Sequence, residues 1–378
     1  MIKNIGMIGF GFIGKVHAQA YHAIPFCFPQ SPYQPRVSAV LRRHPQKDHN
    51  FLRSIGDPFV TDDMDAFLKQ DLDLIDVCTP NVFHLEQISA AAAKQVPIYC
   101  EKPLGINLAH ARKITEITNQ AHIPTHTAFT MRYYPAVRQA KAILAAGVLG
   151  EIYHFRAHLY HNSYMDAKRP ISWRLKKEVA GGGALADLGI HMIDMILYLL
   201  GSIGWVQCQT RTLIKNRPAE KGSMEEIVVD VDDWGVILLG LENGAKGYIE
   251  ATRMSGGAGD STRVEIFGSL GSICIDMDNP DHVQYYDHTG KLHQQGELDF
   301  PTPANEHAIE SIYPPKKMSL GPFVNIHLAS IIDFLQYLHT DIPSPINFES
   351  ALRAQEILEA SYRSANTEGT MMHIPLQF

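Results

Sequence analysis

The sequence predicts an α/β protein in two parts: a doubly wound parallel sheet over residues 1–129, then an α+β domain with a mainly antiparallel sheet over 130–378. Three observations predict it. A glycine-rich turn, Gly9-Phe10-Gly11-Phe12-Ile13-Gly14, lies between an apolar run and a helical one. Short apolar runs then alternate with helical stretches as far as Phe129. From about Gly150 that alternation gives way to closely spaced strands joined by tight turns. At 378 residues the chain is too long for one ordinary core, so two domains are the default.

Taken in order, Ile5-Gly6-Met7-Ile8 reads as the first buried strand and 15–21 as the first helix. A proline-punctuated loop is expected at 25–35, a strand at 37–41, and helices around 48–54 and 63–70. A buried strand at 72–78 ends at Thr79-Pro80-Asn81, an alanine-rich helix covers 84–94, and 97–100 is a further strand. Residues 108–120 are helical and lead to Pro124-Thr125-His126-Thr127-Ala128-Phe129. Such alternation puts helices on both faces of a parallel sheet, whose ligands bind beyond the carboxyl ends of its strands.

In the second part, 151–161, 206–214, 227–241, 245–252, 263–267 and 272–276 read as strands, with Asn243-Gly244 and Ser269-Leu270-Gly271 as turns. One long helix, 187–200, interrupts them. Residues 302–321, rich in Pro, His and Lys, read as an irregular excursion. Two amphipathic helices, 324–339 and 348–364, are expected to pack back on the first domain.

The net charge of −7, with acids and bases interspersed and no long basic run, argues against a nucleic-acid partner. Five cysteines are scattered without CxxC spacing, which fits reduced thiols in a cytosol better than disulfides or a zinc site. The first strand begins within a few residues of Met1, so no signal peptide is expected. The most apolar helix, near 190–200, carries His191 and Asp194, so no membrane span is expected either. These features describe a cytoplasmic globular protein.

Strand, glycine turn and helix N-terminus together make a site for a dinucleotide pyrophosphate. Gly9 permits the tight turn, Gly11 lets the backbone approach the phosphates, and Gly14 lets the helix pack on the strand. A lone GxGxxG is a weak signal that an ordinary turn can produce; its place at the start of an alternating βα pattern favours the binding site. Glu101-Lys102-Pro103 follows a strand, where the crevice should open, and is either a surface ion pair or a lysine aimed at a substrate oxygen. The run Gly181-Gly182-Gly183 gives a loop of unusual freedom that can approach a ligand closely. Asp187 and His191 then stand at i and i+4 on one helical face. They are equally a carboxylate orienting a proton-accepting imidazole, or a helix-end acid and a core-edge histidine.

Other features carry less. His154, His158 and His161 lie along one strand but lack a third ligand of closed geometry, so packed or solvated rings are expected and no metal site. Trp173-Arg174 can line a polyol pocket or be plain packing. Arg132 is either pocket wall or helix start. Asp230, Asp232 and Asp233 are expected in a solvated turn.

Together these segments resemble the glucose–fructose oxidoreductase, inositol dehydrogenase and MocA family (Gfo/Idh/MocA). The matching pieces are residues 9–14 followed by His17, Thr79-Pro80-Asn81 with His84, Glu101-Lys102-Pro103, residues 181–187 with His191, and the last helix around Gln355-Glu356-Ile357-Leu358. Their order and spacing cover nearly the whole chain. The resemblance implies a Rossmann domain joined to a domain with an open, mainly antiparallel sheet, whose face commonly forms a homo-oligomer interface (dimer or tetramer). It implies oxidation of a secondary alcohol of a sugar, polyol or cyclitol, or reduction of the ketone, with NAD or NADP. It also implies roles. Lys102 contacts substrate and nicotinamide and steadies the developing alkoxide, His191 removes the hydroxyl proton, and Asp187 positions one or the other. Gly9, Gly11, Phe12, Ile13, Gly14, Thr79, Pro80, Asn81, His84, Glu101 and Lys102 would hold the cofactor. Arg132, Trp173, Arg174, Asp187 and His191 would join Lys102 around the substrate.

The cofactor end departs from the usual pattern. NAD-specific folds place an acid after the second strand to bond the ribose 2′-hydroxyl. Here that strand ends Val40-Leu41-Arg42-Arg43-His44, with no Asp or Glu between Gly14 and Asp48. Arg42 and Arg43, with Lys47 nearby, suit a 2′-phosphate, so NADP is expected to be preferred and NAD to be possible. Two other activities remain open: a glycosidase that uses bound NAD in a transient oxidation, and a non-catalytic protein that senses the nucleotide.

Overall fold

The computed structural model describes residues 2–293, 300–304, 306–340 and 342–377. By its internal contacts the chain divides into two compact units. The first takes Met1–Gly105, Ala109–Tyr133 and Asn305–Leu352; the second takes Ile106–Leu108, Tyr134–Ala304 and Arg353–Phe378.

In the first unit six parallel strands form one sheet: β1 (Ile2–Ile8), β2 (Gln34–Leu41), β3 (Phe59–Thr61), β4 (Leu74–Val77), β5 (Ile98–Cys100) and β6 (Thr125–Thr127). They lie in the order β3-β2-β1-β4-β5-β6, reversing direction of travel at β1 and β4, the position where a doubly wound sheet opens its crevice. Ile5, Met7, Ile8, Ile75, Val77, Ile98 and Cys100 are all buried, as strands covered on both faces require. The connecting helices are α1 (Phe12–Cys27), α2 (His49–Ser54), α3 (Met64–Leu68), α4 (His84–Ala92) and α5 (Leu108–Gln120). The expected loop at 25–35 starts late, because α1 runs through Pro25 to Cys27. A proline removes one helical hydrogen bond, and the helix ends within a turn of it, with Phe28 N closing on Ile24 O at 2.8 Å.

The second unit begins with α6 (Pro135–Ala145) and β7 (Ile152–His161), and continues through α7 (Lys177–Ala180) and α8 (Ile190–Leu200). Its strands are β8 (Ile203–Arg211), β9 (Asn216–Pro218), β10 (Glu226–Val228), β11 (Trp234–Leu241), β12 (Lys246–Thr252), β13 (Asp260–Gly268), β14 (Gly271–Asp276), β15 (Gln284–Asp287), β16 (Leu292–His293) and β17 (Met372–His373). Nine of them make an open sheet, β16-β15-β14-β13-β7-β12-β11-β8-β17, and β9 pairs with β10 apart from it. Every neighbour pair in the large sheet is antiparallel except β7 and β12. The expected α/β architecture, parallel sheet first and mainly antiparallel sheet second, is therefore present. Phe155, Ala157 and Leu159 of β7 are buried on one face, and α8 packs there through an apolar side that includes Met192, Ile193 and Ile196. On the other face Leu238 and Tyr248 are exposed. Lys177–Leu200 is a helical stretch long and apolar enough to cross a membrane, but 78% of its apolar window is buried in the fold.

Two expected elements change. The strand expected at 227–241 is two strands, β10 and β11, because the acids between them turn the chain and bond to main-chain N–H groups. The helix expected from 187 opens with a π-helical turn, Leu185–Gly189, before α8. Within the stretch 302–321 residue 305 lies outside the described residues; α9 (Ile309–Ile312) and a 3-10 turn, Lys316–Met318, punctuate the rest. α10 (Pro322–Tyr337) belongs to the first unit and bonds α1 through His327 and His17. In α11 (Phe348–Asn366) the division between the units falls after Leu352.

Candidate functional site

The first unit holds the phosphate turn. Gly9 has φ +91°, and a Cβ there would sit 2.7 Å from Thr79 Cγ2 and 2.9 Å from the Cys78 carbonyl carbon. A Cβ on Gly14 would meet Gly9 O at 2.6 Å, so this glycine lets α1 close against the turn. A Cβ on Gly11 would meet nothing within 4 Å. Gly11 is also the N-cap of α1, with no side-chain cap and no acid in the first turn, so the positive end of a 16-residue helix faces that space. An anion fits there, and a dinucleotide pyrophosphate is the anion this topology takes. Ile13 is half-buried, while Phe12 is exposed and stacks on Phe323 at 6.1 Å between ring centroids.

At the end of β2, Arg42 donates from Nη2 to Asp48 at 2.8 Å, and its guanidinium lies 5.6 Å from the Phe10 ring centroid. Lys15 Nζ reaches the other oxygen of the same carboxylate at 2.8 Å. Bonds from Lys15 and Arg42 hold the Asp48 carboxyl below its ordinary range. Arg43 is exposed. An acid from the N-terminus of α2 therefore stands against Arg42 at the end of β2, a contact that no local motif announces.

The loops after β4 and β5 are tied together. Thr79 donates to Gln87 Oε1 at 2.5 Å, and the buried His84 ring has its nitrogens 3.0 Å from Thr79 O and 3.2 Å from Leu104 O. Pro80 leads into the short turn Asn81–Phe83, where Asn81 is buried. Glu101 is buried and accepts from Lys102 N at 3.2 Å, while the Lys102 side chain is half-buried. This excludes the simple reading of 101–102 as a surface ion pair. Behind Glu101 lies His17, wholly buried, 3.2 Å from its carboxylate. Arg132 is buried on the 3-10 turn Thr130–Tyr133.

The second unit holds the other residues. The glycine run is packed rather than free. Gly181 has φ +81°, and a Cβ there would lie 2.2 Å from Ile106 O; on Gly182 it would strike Tyr362 Oη at 2.2 Å, and on Gly183 the Asp232 carbonyl at 1.9 Å. The expected approach of a ligand to this loop is replaced by approach of the protein's own chain. Asp232, expected in solvent, is buried. It accepts from Gly183 N at 2.8 Å, Leu185 N at 2.8 Å and Tyr362 Oη at 2.7 Å. Asp233 is buried too, accepting from Leu213 N and Ile214 N, whereas Asp230 bonds Lys177 N. Asp232 and Asp233 are thus satisfied by N–H and O–H groups inside the fold, while Asp230 is exposed as expected.

Asp187 lies on the π turn and His191 in the first turn of α8. Arg253, after β12, is buried to 1% side-chain exposure and donates from Nη2 to Asp187 at 3.0 Å and to Gly183 O at 3.1 Å. Burial would lower the Arg253 pKa, but Asp187 and the Tyr164 ring, 5.0 Å away, outweigh it. Asp187 is therefore paired with a permanent cation. Arg174 adds a second, 3.8 Å from the same carboxylate, with its guanidinium 4.4 Å from the Trp173 ring centroid. Arg253 is the functional candidate that sequence reading missed; it ends a strand, and no spacing links it to Asp187. His154 stacks on Phe267 and His158 on Tyr160, and His161 pairs with Asp260.

Comparison with known proteins accords with both halves. Residues 3–129 match a family model described as an oxidoreductase family with an NAD-binding Rossmann fold, and 137–274 match a GFO/IDH/MocA C-terminal domain. Levoglucosan dehydrogenase of Pseudarthrobacter phenanthrenivorans is 32% identical over 326 residues, covering 80% of this chain and 84% of that one. A solved structure of levoglucosan dehydrogenase in complex with NADH superposes with a TM-score of 0.89 at 29% identity, covering 100% of both chains. Its complex with NADH and levoglucosan gives 0.88 at 30% identity, covering 99% of this chain and 100% of that one.

Proposed function

The chain belongs to the Gfo/Idh/MocA oxidoreductase family, and from that premise we propose that it oxidises a secondary alcohol of a sugar, polyol or cyclitol, or reduces the matching ketone. The observation that carries the reading is the turn at Gly11, where an uncapped helix end faces space that no side chain enters. The dinucleotide, when bound, supplies the hydride acceptor or donor. In the oxidation, the substrate hydroxyl gives its proton to the His191 imidazole as hydride leaves the same carbon. The Lys102 ammonium steadies the negative charge that grows on the oxygen. Asp187, paired with Arg253, orients the polar groups of the substrate or the ring of His191.

The cofactor assignment remains NADP preferred and NAD accepted. Arg42 and Arg43 support a 2′-phosphate by charge and by fork geometry. Asp48 opposes it: a 2′-phosphate on Arg42 has to displace this carboxylate, whereas ribose hydroxyls can bond to it. We extend the reading to a homo-oligomer in the cytoplasm. The exposed Leu238 and Tyr248 on the open sheet face support association, and five free, buried cysteines support a reducing compartment.

The test is a screen of sugars, cyclitols and their keto forms with both cofactors, following absorbance of the reduced nicotinamide. Turnover of at least one substrate is expected, falling about 100-fold or more in Lys102→Ala and in His191→Ala. Wild-type turnover in both variants sinks the assignment. Release of a leaving group without net cofactor turnover replaces it with the glycosidase.

A further inference from the structure

We propose that His17 is a permanently protonated imidazolium linking Asp76 to Glu101, and that it acts as a positioning residue for Lys102. The second half of this inference rests on the role given to Lys102 above.

The argument begins with the two ring nitrogens. His17 lies on α1, three residues beyond Gly14, and is wholly buried. Its Nδ1 is 3.0 and 3.2 Å from the two oxygens of Asp76, which is wholly buried on β4. Its Nε2 is 3.2 Å from Glu101 Oε1 at the end of β5. A neutral imidazole has one N–H, so one of these carboxylates would face a lone pair. Only the doubly protonated ring meets both.

The other groups around the ring do not supply the missing charge. His327 on α10 places Nδ1 3.2 Å from Nε2, and burial drives its pKa down to about 3, so it is neutral. Cys78 Sγ lies 3.2 Å from Nδ1, and burial pushes that thiol far up. Tyr99 meets the ring edge-on at 5.4 Å, and burial raises both its phenol and that of Tyr21, the latter also facing Asp76. Burial would likewise depress His17, but the Asp76 carboxylate against its ring reverses the sign and raises it well above its ordinary value. Glu101, which burial would raise, is held at about 2, chiefly by His17.

The chain of charge ends at the lysine. Glu101 Oε2 accepts from Lys102 N at 3.2 Å, so the carboxylate that faces the imidazolium also fixes the start of the Lys102 loop. His17 compensates Glu101 from behind. Without that compensation the carboxylate would act on the Lys102 ammonium alone and draw it from its task. The same side chains also have the spacing of metal ligands, His17 with Asp76 and Cys78, or His17 with Glu101 and His327, all within 4.8 Å. A metal on either nitrogen would remove the proton, so the two readings exclude each other.

The first experiment needs no substitution. In the full-length protein labelled with 15N-histidine, one ring should keep both nitrogens protonated at about pH 8, where an ordinary histidine is neutral. Its signal is assigned by its loss in His17→Gln, or by heavy-atom contacts to Tyr99 if that variant does not fold. A singly protonated His17 overturns the proposal, and so does stoichiometric zinc that a chelator removes. The second experiment reads kinetics. His17→Gln should lower kcat about 10- to 100-fold with cofactor Kd changed less than about threefold. The double variant His17→Gln/Glu101→Gln should be no slower than Glu101→Gln alone. If Lys102→Ala is inactive while His17→Gln keeps wild-type kcat, the positioning role is wrong. If Lys102→Ala itself turns over normally, it is the role of Lys102 that fails, and the protonation result still stands or falls by the spectrum.

Discussion

Residues 9–14 in the first unit and 181–183 in the second each gather three glycines beside an acid drawn from elsewhere, Asp48 in one case and Asp232 in the other. In the first cluster the middle glycine looks onto open space, and the acid, half-exposed, bridges two cationic side chains. In the second all three glycines are pressed against protein atoms, and the acid is spent on main-chain N–H groups and a tyrosine hydroxyl. Identical residue types therefore leave a helix end open in one place and close a packed turn in the other. What decides between them is what a Cβ would touch, and that is a property of the fold rather than of the motif.

Alanine at the two central positions separates the clusters. Gly183→Ala should have the largest effect: its Cβ would lie 1.9 Å from a carbonyl whose residue is fixed by three further bonds, so the backbone must move. A loss of about 3 kcal/mol or more is expected, read as a fall in Tm or in denaturant midpoint. Unchanged melting would mean that the loop is as free as its sequence suggests. Gly11→Ala should melt like the wild type, since its φ of −81° suits alanine and nothing lies within 4 Å. The same methyl should weaken dinucleotide binding about tenfold or more by calorimetric titration. Equal Kd values would show that the pyrophosphate does not pass there.

This contrast also measures how far the sequence could be read. The parallel sheet was legible because each strand is a short apolar run between helical stretches, and the phosphate turn because glycine spacing, strand and helix coincide. Thr79, His84, Glu101 and Lys102 could be placed at strand ends for the same reason. The second unit was legible only as a series of strands. Arg253 and Asp232 act across 66 and 47 residues or more, on Asp187 and Leu185. Such pairings depend on register in a nine-stranded sheet, which alternation alone does not give. Asp232 reads as a turn acid because its run is polar; its burial follows from the N–H groups that the glycine loop turns toward it. His17 stood in plain view after Gly14, but its importance lies in meeting two carboxylates on different strands.

Asp48→Asn is the finest test, because it asks whether the acid of the first cluster takes part in recognition as Asp232 takes part in packing. The substitution keeps the shape and removes one negative charge beside Arg42 and Lys15. Because those two cations hold its pKa down, Asp48 stays charged throughout neutral pH. The wild-type preference should accordingly be flat with pH until acid conditions protonate it. In the variant Arg42 is free to meet a 2′-phosphate, so NADP should bind more tightly relative to NAD. A half-exposed pair is worth about 0.2–1 kcal/mol, which sets the change in the ratio of dissociation constants between roughly 1.4-fold and fivefold, smaller at high salt. A ratio that does not move would detach Asp48 from the ribose end of the site and leave it as a brace between α1 and α2, structurally the counterpart of Asp232 after all.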